Sequence, residues 1–512
     1  MPPSISSLWK APEINPVNHK AKSIPGLNPL NIYGRVFLLS WWGFFIAFWS
    51  WYAFPPLMTD TIKKDLKLSQ TDVANSNVIS LAATLLVRLA AGPLCDRYGA
   101  RWTFAGILLV GAIPTALAGT VSTPQGLITI RFFVGILGGS FIPCQVWTTG
   151  FFDKNVVGTA NSFAAGFGNA GGGVTYFVMP AIFNSLVQHQ HLTDHVAWRV
   201  AFVVPFILIT FTALVMILTC PDTPTGAWSA RTQEVQRHLD MRDTFFSGVG
   251  KDRKGIPPSM DSGASPGLSN DTIKLNSARG QGDFSDTQAQ EDDLLAAASW
   301  ELVEKPTVQG SAKAILSLPT LALSVAYFCS FGTELCVNTI LGAYYAKNFP
   351  KLGQTGSGDW AAMFGLFNFI FRPAGGIISD TIYRYTRSLW AKKILIHSFG
   401  AMTGVFLLLV GFLNPHSKAT FVGLMTGLAF FEEAGNGGLF SLVPHVHPTS
   451  NGLVTGVTGA AGDLGGIVFL LIYRYSGTSY GRVFWIVGII TIVANLLVSW
   501  IRPIPKGQLG GR

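Results

Sequence analysis

Two arginines, Arg88 and Arg372, lie inside long apolar runs, and each opens the same pattern. Arg88-x3-Gly92-x3-Asp96 recurs as Arg372-x3-Gly376-x3-Asp380, 284 residues later. A guanidinium at bilayer depth costs roughly 2.5–3.5 kcal/mol on an insertion scale, so such a group is retained for binding or for pairing. Snorkelling and pairing with an acid are the structural readings. Asp96 and Asp380 lie eight residues on, however, and no acid falls within one turn on the same face. The symmetric placement favours an anion held between the two. Guanidinium is planar, permanently charged and forked, which suits a small oxyanion. Four acids also sit in apolar segments: Glu334, Glu432, Glu433 and Asp463. Glu334 is the most central, and carrying a proton competes there with pairing to Arg131. A second repeat, Gly168-Asn-Ala-Gly-Gly172 and Gly462-Asp-Leu-Gly-Gly466, is displaced by 294. Its glycines permit close helix approach. Asn169 could donate its amide to an anion or bond a neighbouring helix.

These residues need elements to hold them. Of 512 residues, 49% are hydrophobic and 12% charged, about half the charged share of a soluble domain. That excludes a soluble multidomain protein, a disordered chain, a coiled coil and a disulfide scaffold. The apolar stretches are continuous and each near the ~20 residues that a bilayer requires, which excludes a β-barrel. Twelve spans are expected, near 35–57, 73–95, 102–120, 125–149, 156–187, 198–219, 314–346, 358–382, 389–412, 418–442, 452–473 and 482–501. The fold expected is all-α and membrane-embedded, with two six-helix halves related as a parallel repeat and a midplane site between them.

The organisation reads as an N-terminal arm (1–34), a six-helix bundle (35–219), a linker (220–313), a second bundle (314–501) and a tail (502–512). The linker carries 14 of the 27 acidic residues and is rich in Gly, Ser and Pro, so it reads as mostly disordered. Its serines and threonines, such as Ser259 and Thr272, are candidates for phosphorylation. With the N-terminus inside, 14 Lys/Arg flank the inner ends and 9 the outer. That bias puts both termini and the linker in the cytoplasm. No cleavable signal peptide is expected.

Other chemistries find no support. No basic stripe with interleaved aromatics suggests nucleic acid. Five cysteines show no metal spacing, and H-E-x-x-H, G-x-S-x-G and P-loop patterns are missing. No enzyme activity, metal or cofactor is expected. His445 and His447 read as cytoplasmic surface.

Gly92-Pro-Leu-Cys-Asp96-Arg97-Tyr-Gly99-Ala-Arg101 resembles the loop motif of the major facilitator superfamily. Residues Ala165–Gly172 and their copy at Ala460–Gly466 are similar to the nitrate signature of the nitrate/nitrite porter family, in its fungal branch. The resemblance implies the major facilitator fold. It implies import of nitrate, with nitrite as a second substrate, coupled to protons across the plasma membrane by a monomeric unit among membrane lipids. It implies a pocket of Arg88, Arg372, Asn169, Phe141, Tyr327, Phe331 and Asp463. Asp96, Arg97, Arg101 and Asp380 become gating residues. Glu334, Asp463 and Arg131, the last from an R-x3-G pattern on span 4, become proton-coupling candidates. The chain departs from the family at 463, where asparagine is the family's residue. An aspartate there could carry a proton, pair with an arginine or mark a changed substrate. A nitrate/nitrite exchanger, a carrier of another small anion and a non-transporting nutrient receptor are the competing readings.

Overall fold

The computed structural model describes residues 5–15, 18–58, 61–229, 308–476 and 479–505. Most of the linker, with Ser259 and Thr272, and the end of the tail lie outside these residues. Twelve long helical spans make up the bundle. The first half holds α1 (Ile32–Trp51), α2 (Gln70–Tyr98), α3 (Ala100–Leu117), α4 (Pro124–Phe151), α5 (Val157–Gln188) and α6 (Asp194–Thr219). The second holds α7 (Leu318–Asn348), α8 (Gly356–Thr386), α9 (Leu389–Leu413), α10 (Lys418–Val446), α11 (Asn451–Ser476) and α12 (Tyr480–Ser499). Among the described residues, eleven helices are long and apolar enough to cross a membrane. The one left out is α10. Its 29 residues reach roughly 43 Å, but Glu432, Glu433 and Asn436 dilute its apolar character.

Local sequence explains the boundaries. Ser69 and Asp72 form a reciprocal capping box at the start of α2, which satisfies first-turn N–H groups. Gly99 separates α2 from α3 with φ +94°, and the Trp228 ring packs against it. A side chain there would meet both strain and the indole. The seventh span starts at Leu318 and not at 314. Val308–Ile315 is a helix of its own, and Ser317 caps the next through the Thr320 N–H. Two spans change pitch next to the site. In α4 the run Gly135–Ser140 tightens to a 3-10 turn, and in α8 Phe367–Phe369 does the same. Such turns within helices redirect backbone groups.

Both chain ends of each half reach one end of the bundle, here the terminus end. The N-terminal arm is fastened to it. Ala21 exchanges backbone bonds with Phe151 and Asp153 (2.9 Å each), and the Tyr33 hydroxyl donates to the His19 carbonyl.

At the opposite end, Asp65 between α1 and α2 accepts from Trp198 (3.0 Å) and Arg199 (2.8 Å) at the start of α6, and meets His195 at 2.6 Å. Burial pushes its carboxyl up, but the donors outweigh it and hold Asp65 below the usual carboxylate value. A depressed folded value stabilises above the unfolded one and is lost as pH falls through it. Asp65→Asn should therefore lower the thermal midpoint by about 2–4 °C at neutral pH. The difference from wild type should close below about pH 3 in a thermal-melt series.

Candidate functional site

The two repeated arginines converge from opposite halves on one ring. Arg88 Cζ lies 5.0 Å from the Phe331 centroid and Arg372 Cζ 5.8 Å from it. Both guanidiniums are buried, 1% and 0% exposed. Neither snorkels.

Arg88, on α2, donates Nε to the Gly138 carbonyl (3.1 Å) in the tightened turn of α4, and Nη1 to the Gly459 carbonyl (3.0 Å) on α11. Its ion partner is Asp463 across the halves, Nη1 to Oδ1 3.1 Å, with the carboxylate 1% exposed. Arg372, on α8, donates Nη1 to Asn368 Oδ1 (2.9 Å) and Nη2 to the Tyr327 hydroxyl (3.2 Å). It faces Glu334 at 3.4 Å and Glu433 at 3.7 Å. The expectation of no acid nearby holds only along each helix. Each arginine has acids supplied by other helices. Glu334 meets Arg372 and not Arg131. Arg131 instead ties α4 to its neighbours, through the Trp51 carbonyl (3.1 Å) and Asn77 Oδ1 (2.6 Å), with its guanidinium over the Trp51 and Phe54 rings.

The aromatic residues expected in the pocket form one stack. Tyr327 lies parallel to Phe331 (5.0 Å, 2°) and to Phe141 (6.2 Å, 8°). Phe440 of α10, which the sequence did not suggest, closes the stack edge-on against Phe141 (4.8 Å) and Tyr327 (5.0 Å). Gly462 makes room for the stack, because an added β-carbon would sit 2.6 Å from Tyr327. The rings are stacked in contact and present flat apolar faces beside the two planar cations.

Beyond the rings lies a small cavity of about 30 Å³, toward the end opposite the termini. Tyr52, Asn169, Tyr176, Phe331, Glu334 and Asn368 are among its lining residues. Asn169 is 5% exposed, and neither its amide nitrogen nor its oxygen has a hydrogen-bond partner. Of the two roles open to Asn169, the interhelical bond is not formed. A buried amide left unbonded costs about 1–3 kcal/mol, and a polar ligand in the cavity would relieve it.

The terminus end is shut by two pseudo-symmetric clasps. Asp96, ending α2, accepts the Gly452 and Leu453 N–H groups that start α11 (2.9 Å each). Asp380, on α8, accepts the Thr159 N–H (2.6 Å) and hydroxyl (2.8 Å) at the start of α5, and pairs with Lys392 of α9 (2.9 Å). Each carboxylate caps a helix of the other half, where the helix dipole favours negative charge. Arg101 pairs with Asp222 (2.5 Å) and bonds the Ile217 and Cys220 carbonyls, fastening α3 to the end of α6. The Arg97 guanidinium lies over the Tyr98 ring. His445 and His447 are only partly exposed, and His447 Nε2 meets Ser317 Oγ at 2.9 Å.

The comparisons with known proteins fit this architecture. The model of the Major Facilitator Superfamily matches residues 40–470. The chain therefore belongs to the Major Facilitator Superfamily, whose matched relatives are transporters and not enzymes. It is 37% identical to Elsinochrome transporter 1 of Elsinoe fawcettii over 512 residues, 99% of this chain and all of the relative. It is 31% identical to High affinity nitrate transporter 2.5 of Arabidopsis thaliana, covering 91% of this chain and 79% of the relative. Identity to the Nitrate/nitrite transporter NrtP of Nostoc punctiforme is 26%, covering 93% of each. The proton:xylose symporter XylE shares the fold at TM-score 0.58 and 13% identity, covering 90% of this chain and 94% of that one. The human organic anion transporter MFSD10 does so at 0.54 and 12%, covering 91% and 99%.

Proposed function

We propose that the chain imports nitrate, with nitrite as a second substrate, by alternating access coupled to protons. The membrane is the plasma membrane, and the terminus end faces the cytoplasm. The observation that carries this reading is the convergence of Arg88 and Arg372, one from each half, on the Phe331 ring. Several relatives from plants, algae and a cyanobacterium bear the name of nitrate transporters. The two guanidinium forks bracket the ion, Tyr327, Phe331 and Phe141 exclude water around it, and Asn169 supplies an amide from α5. Asp96 and Asp380 hold the cytoplasmic side shut while the cavity receives the ion, and Arg97 and Arg101 support that gate. Rocking then breaks the clasps.

Proton coupling follows from charge. Carrying nitrate into a negative-inside cell costs about 2.3 kcal/mol per 100 mV. One proton cancels that cost, and two turn the potential into a driving force. Asp463 pairs with Arg88 across the halves (3.1 Å). Nitrate has to displace it, and protonating the displaced carboxyl spares a buried charge. Arg131, buried between α1, α2 and α4, acts in coupling only through these neighbours. An exchanger or a receptor would have no use for this stock of acids.

One observation favours a second reading. A relative that matches 99% of this chain at 37% identity is named for elsinochrome and not for nitrate. An organic anion in place of nitrate is then the alternative substrate.

Counterflow in proteoliposomes tests the proposal. Labelled nitrate should exchange for internal nitrate or nitrite, and polyaromatic acids should not compete. Competition by such acids with no nitrate exchange would sustain the second reading instead. Asp463→Asn frees Arg88 of its ion partner, so nitrate affinity at neutral pH should rise about tenfold, equivalent to roughly 1.4 kcal/mol. Isothermal titration checks this, and weaker binding would show that Asp463 assists the anion.

A further inference from the structure

The charge inventory around Arg372 does not balance. Arg88 serves Asp463, but Arg372 faces an excess of acid. One carboxylate oxygen each from Glu334, Glu432 and Glu433 lies within 4.8 Å of the others. All three side chains are buried, 4%, 0% and 0% exposed. Three carboxylates ionised beside one guanidinium would leave unpaired charge in a desolvated site, which costs several kcal/mol for each ion.

The hydrogen bonds show where the deficit lies. Asn368 Nδ2 donates to Glu334 Oε1 (2.9 Å) and Glu433 Oε1 (2.6 Å). Asn436 Nδ2 donates to Glu334 Oε2 (3.1 Å) and Glu432 Oε1 (2.6 Å). Three fully buried acceptors then have no donor: Glu432 Oε2, Glu433 Oε2 and Asn436 Oδ1. Arg372 Nη1, at 3.7 Å from Glu433 Oε2, is too far for a hydrogen bond. Acceptors without donors in a buried cluster lack an O–H hydrogen, and a carboxyl proton supplies one. A metal ion suits the cluster poorly, because amide hydrogens already point at each carboxylate and Arg372 stands beside two of them.

We propose that Glu334, Glu432 and Glu433 form a proton-binding site whose occupancy is tied to the anion through Arg372. The inference rests on the nitrate reading above. When nitrate takes the donors of Arg372, it neutralises the cation that faces Glu334 and Glu433. The triad then has no counter-charge and takes up one proton beyond any it shares while Arg372 faces it. Glu334 and Asn368 line the cavity, so the proton enters from its water and passes to the deeper pair. No other bond is made or broken. Release of nitrate restores the Arg372–carboxylate contacts and expels the proton. The other groups facing the triad are the Tyr327 hydroxyl from α7, Asn169 of α5 and Tyr52 of α1 in the cavity, and Arg88 with Asp463 beyond Phe331. From α9, Phe399 packs on Phe430 and Phe431 and brings no charge.

The test measures nitrate binding and proton uptake together on the full chain in detergent, in weakly buffered solution with a pH indicator. Wild type should take up about two protons per nitrate, one at Asp463 and one at the triad, and its affinity should weaken as pH rises through the coupled range. Glu433→Gln and Glu432→Gln should each remove about one of the two protons and make the pH dependence shallower. Both variants should still catalyse nitrate counterflow, which needs no net proton movement, and counterflow also reports that they fold. Proton uptake that persists undiminished in both glutamine variants overturns this inference alone, whereas nitrate binding to wild type without any proton uptake removes the proton coupling of the proposed function as well. No nitrate binding at any pH overturns the nitrate reading and this inference with it.

Discussion

Arg372→Ala is expected to abolish nitrate transport, by at least about a hundredfold, and to destabilise the protein. The guanidinium is the cation that faces Glu334 and Glu433 at 3.4 and 3.7 Å, and it also holds Asn368 and Tyr327 in place. Removing one partner of a buried ion pair costs about 3–5 kcal/mol, mostly from stranding the other. Transport loss alone would therefore not separate binding from folding. Arg372→Lys does so. It keeps the charge among the carboxylates but loses the fork. Its thermal midpoint should stay close to wild type while nitrate uptake falls about tenfold or more. A lysine variant that transports at the wild-type rate would mean that Arg372 only balances charge. The same pair of substitutions at Arg88 should behave alike, with Asp463 as the stranded acid.

Gly376→Val is expected to stop transport by a different route. A β-carbon at Gly376 would sit 1.9 Å from Ser162 Oγ and 2.7 Å from the Gly158 carbonyl. Ser162 can rotate, but the backbone carbonyl cannot, so α8 and α5 must part at the terminus end. The Asp380 clasp onto Thr159 lies one turn away and would open. The variant should fold, because each half packs largely on itself. It should bind nitrate yet lose about a hundredfold in uptake, with a thiol introduced at the terminus end labelled faster than in wild type. Gly423→Ala is the control, since nothing lies within 4 Å of an added β-carbon there. Slow labelling with normal uptake would show that closure does not depend on this contact.

How far the sequence reached differs between fold and site. The spans follow from apolar length, and the paired arginines from their repeat. The partners of those arginines were not legible. Arg88 and Asp463 are far apart in the chain and in different halves, and local spacing carries no trace of their contact. Asn368 and Asn436 went unnoticed for the same reason, although an amide in an apolar helix is itself a signal. Phe440 is one of 37 phenylalanines, and only the fold shows that its edge closes the ring stack. The same holds for Arg131. Its R-x3-G pattern left a structural role and a coupling role open, and spacing gave no hint that its bonds are to the Trp51 carbonyl and Asn77. The start of α7 is set at Leu318 by Ser317 and Pro319, which reset the helix after Val308–Ile315.

The central claim is that two arginines, one from each half, carry nitrate together with protons. Its most direct test is nitrate uptake into proteoliposomes whose lumen is set acid, neutral or alkaline to the outside, with Arg88→Ala as the control. Nitrate should accumulate uphill only with the alkaline lumen, and the mutant should accumulate none. Uptake that ignores the gradient and requires internal nitrite, or that survives in Arg88→Ala, would contradict it.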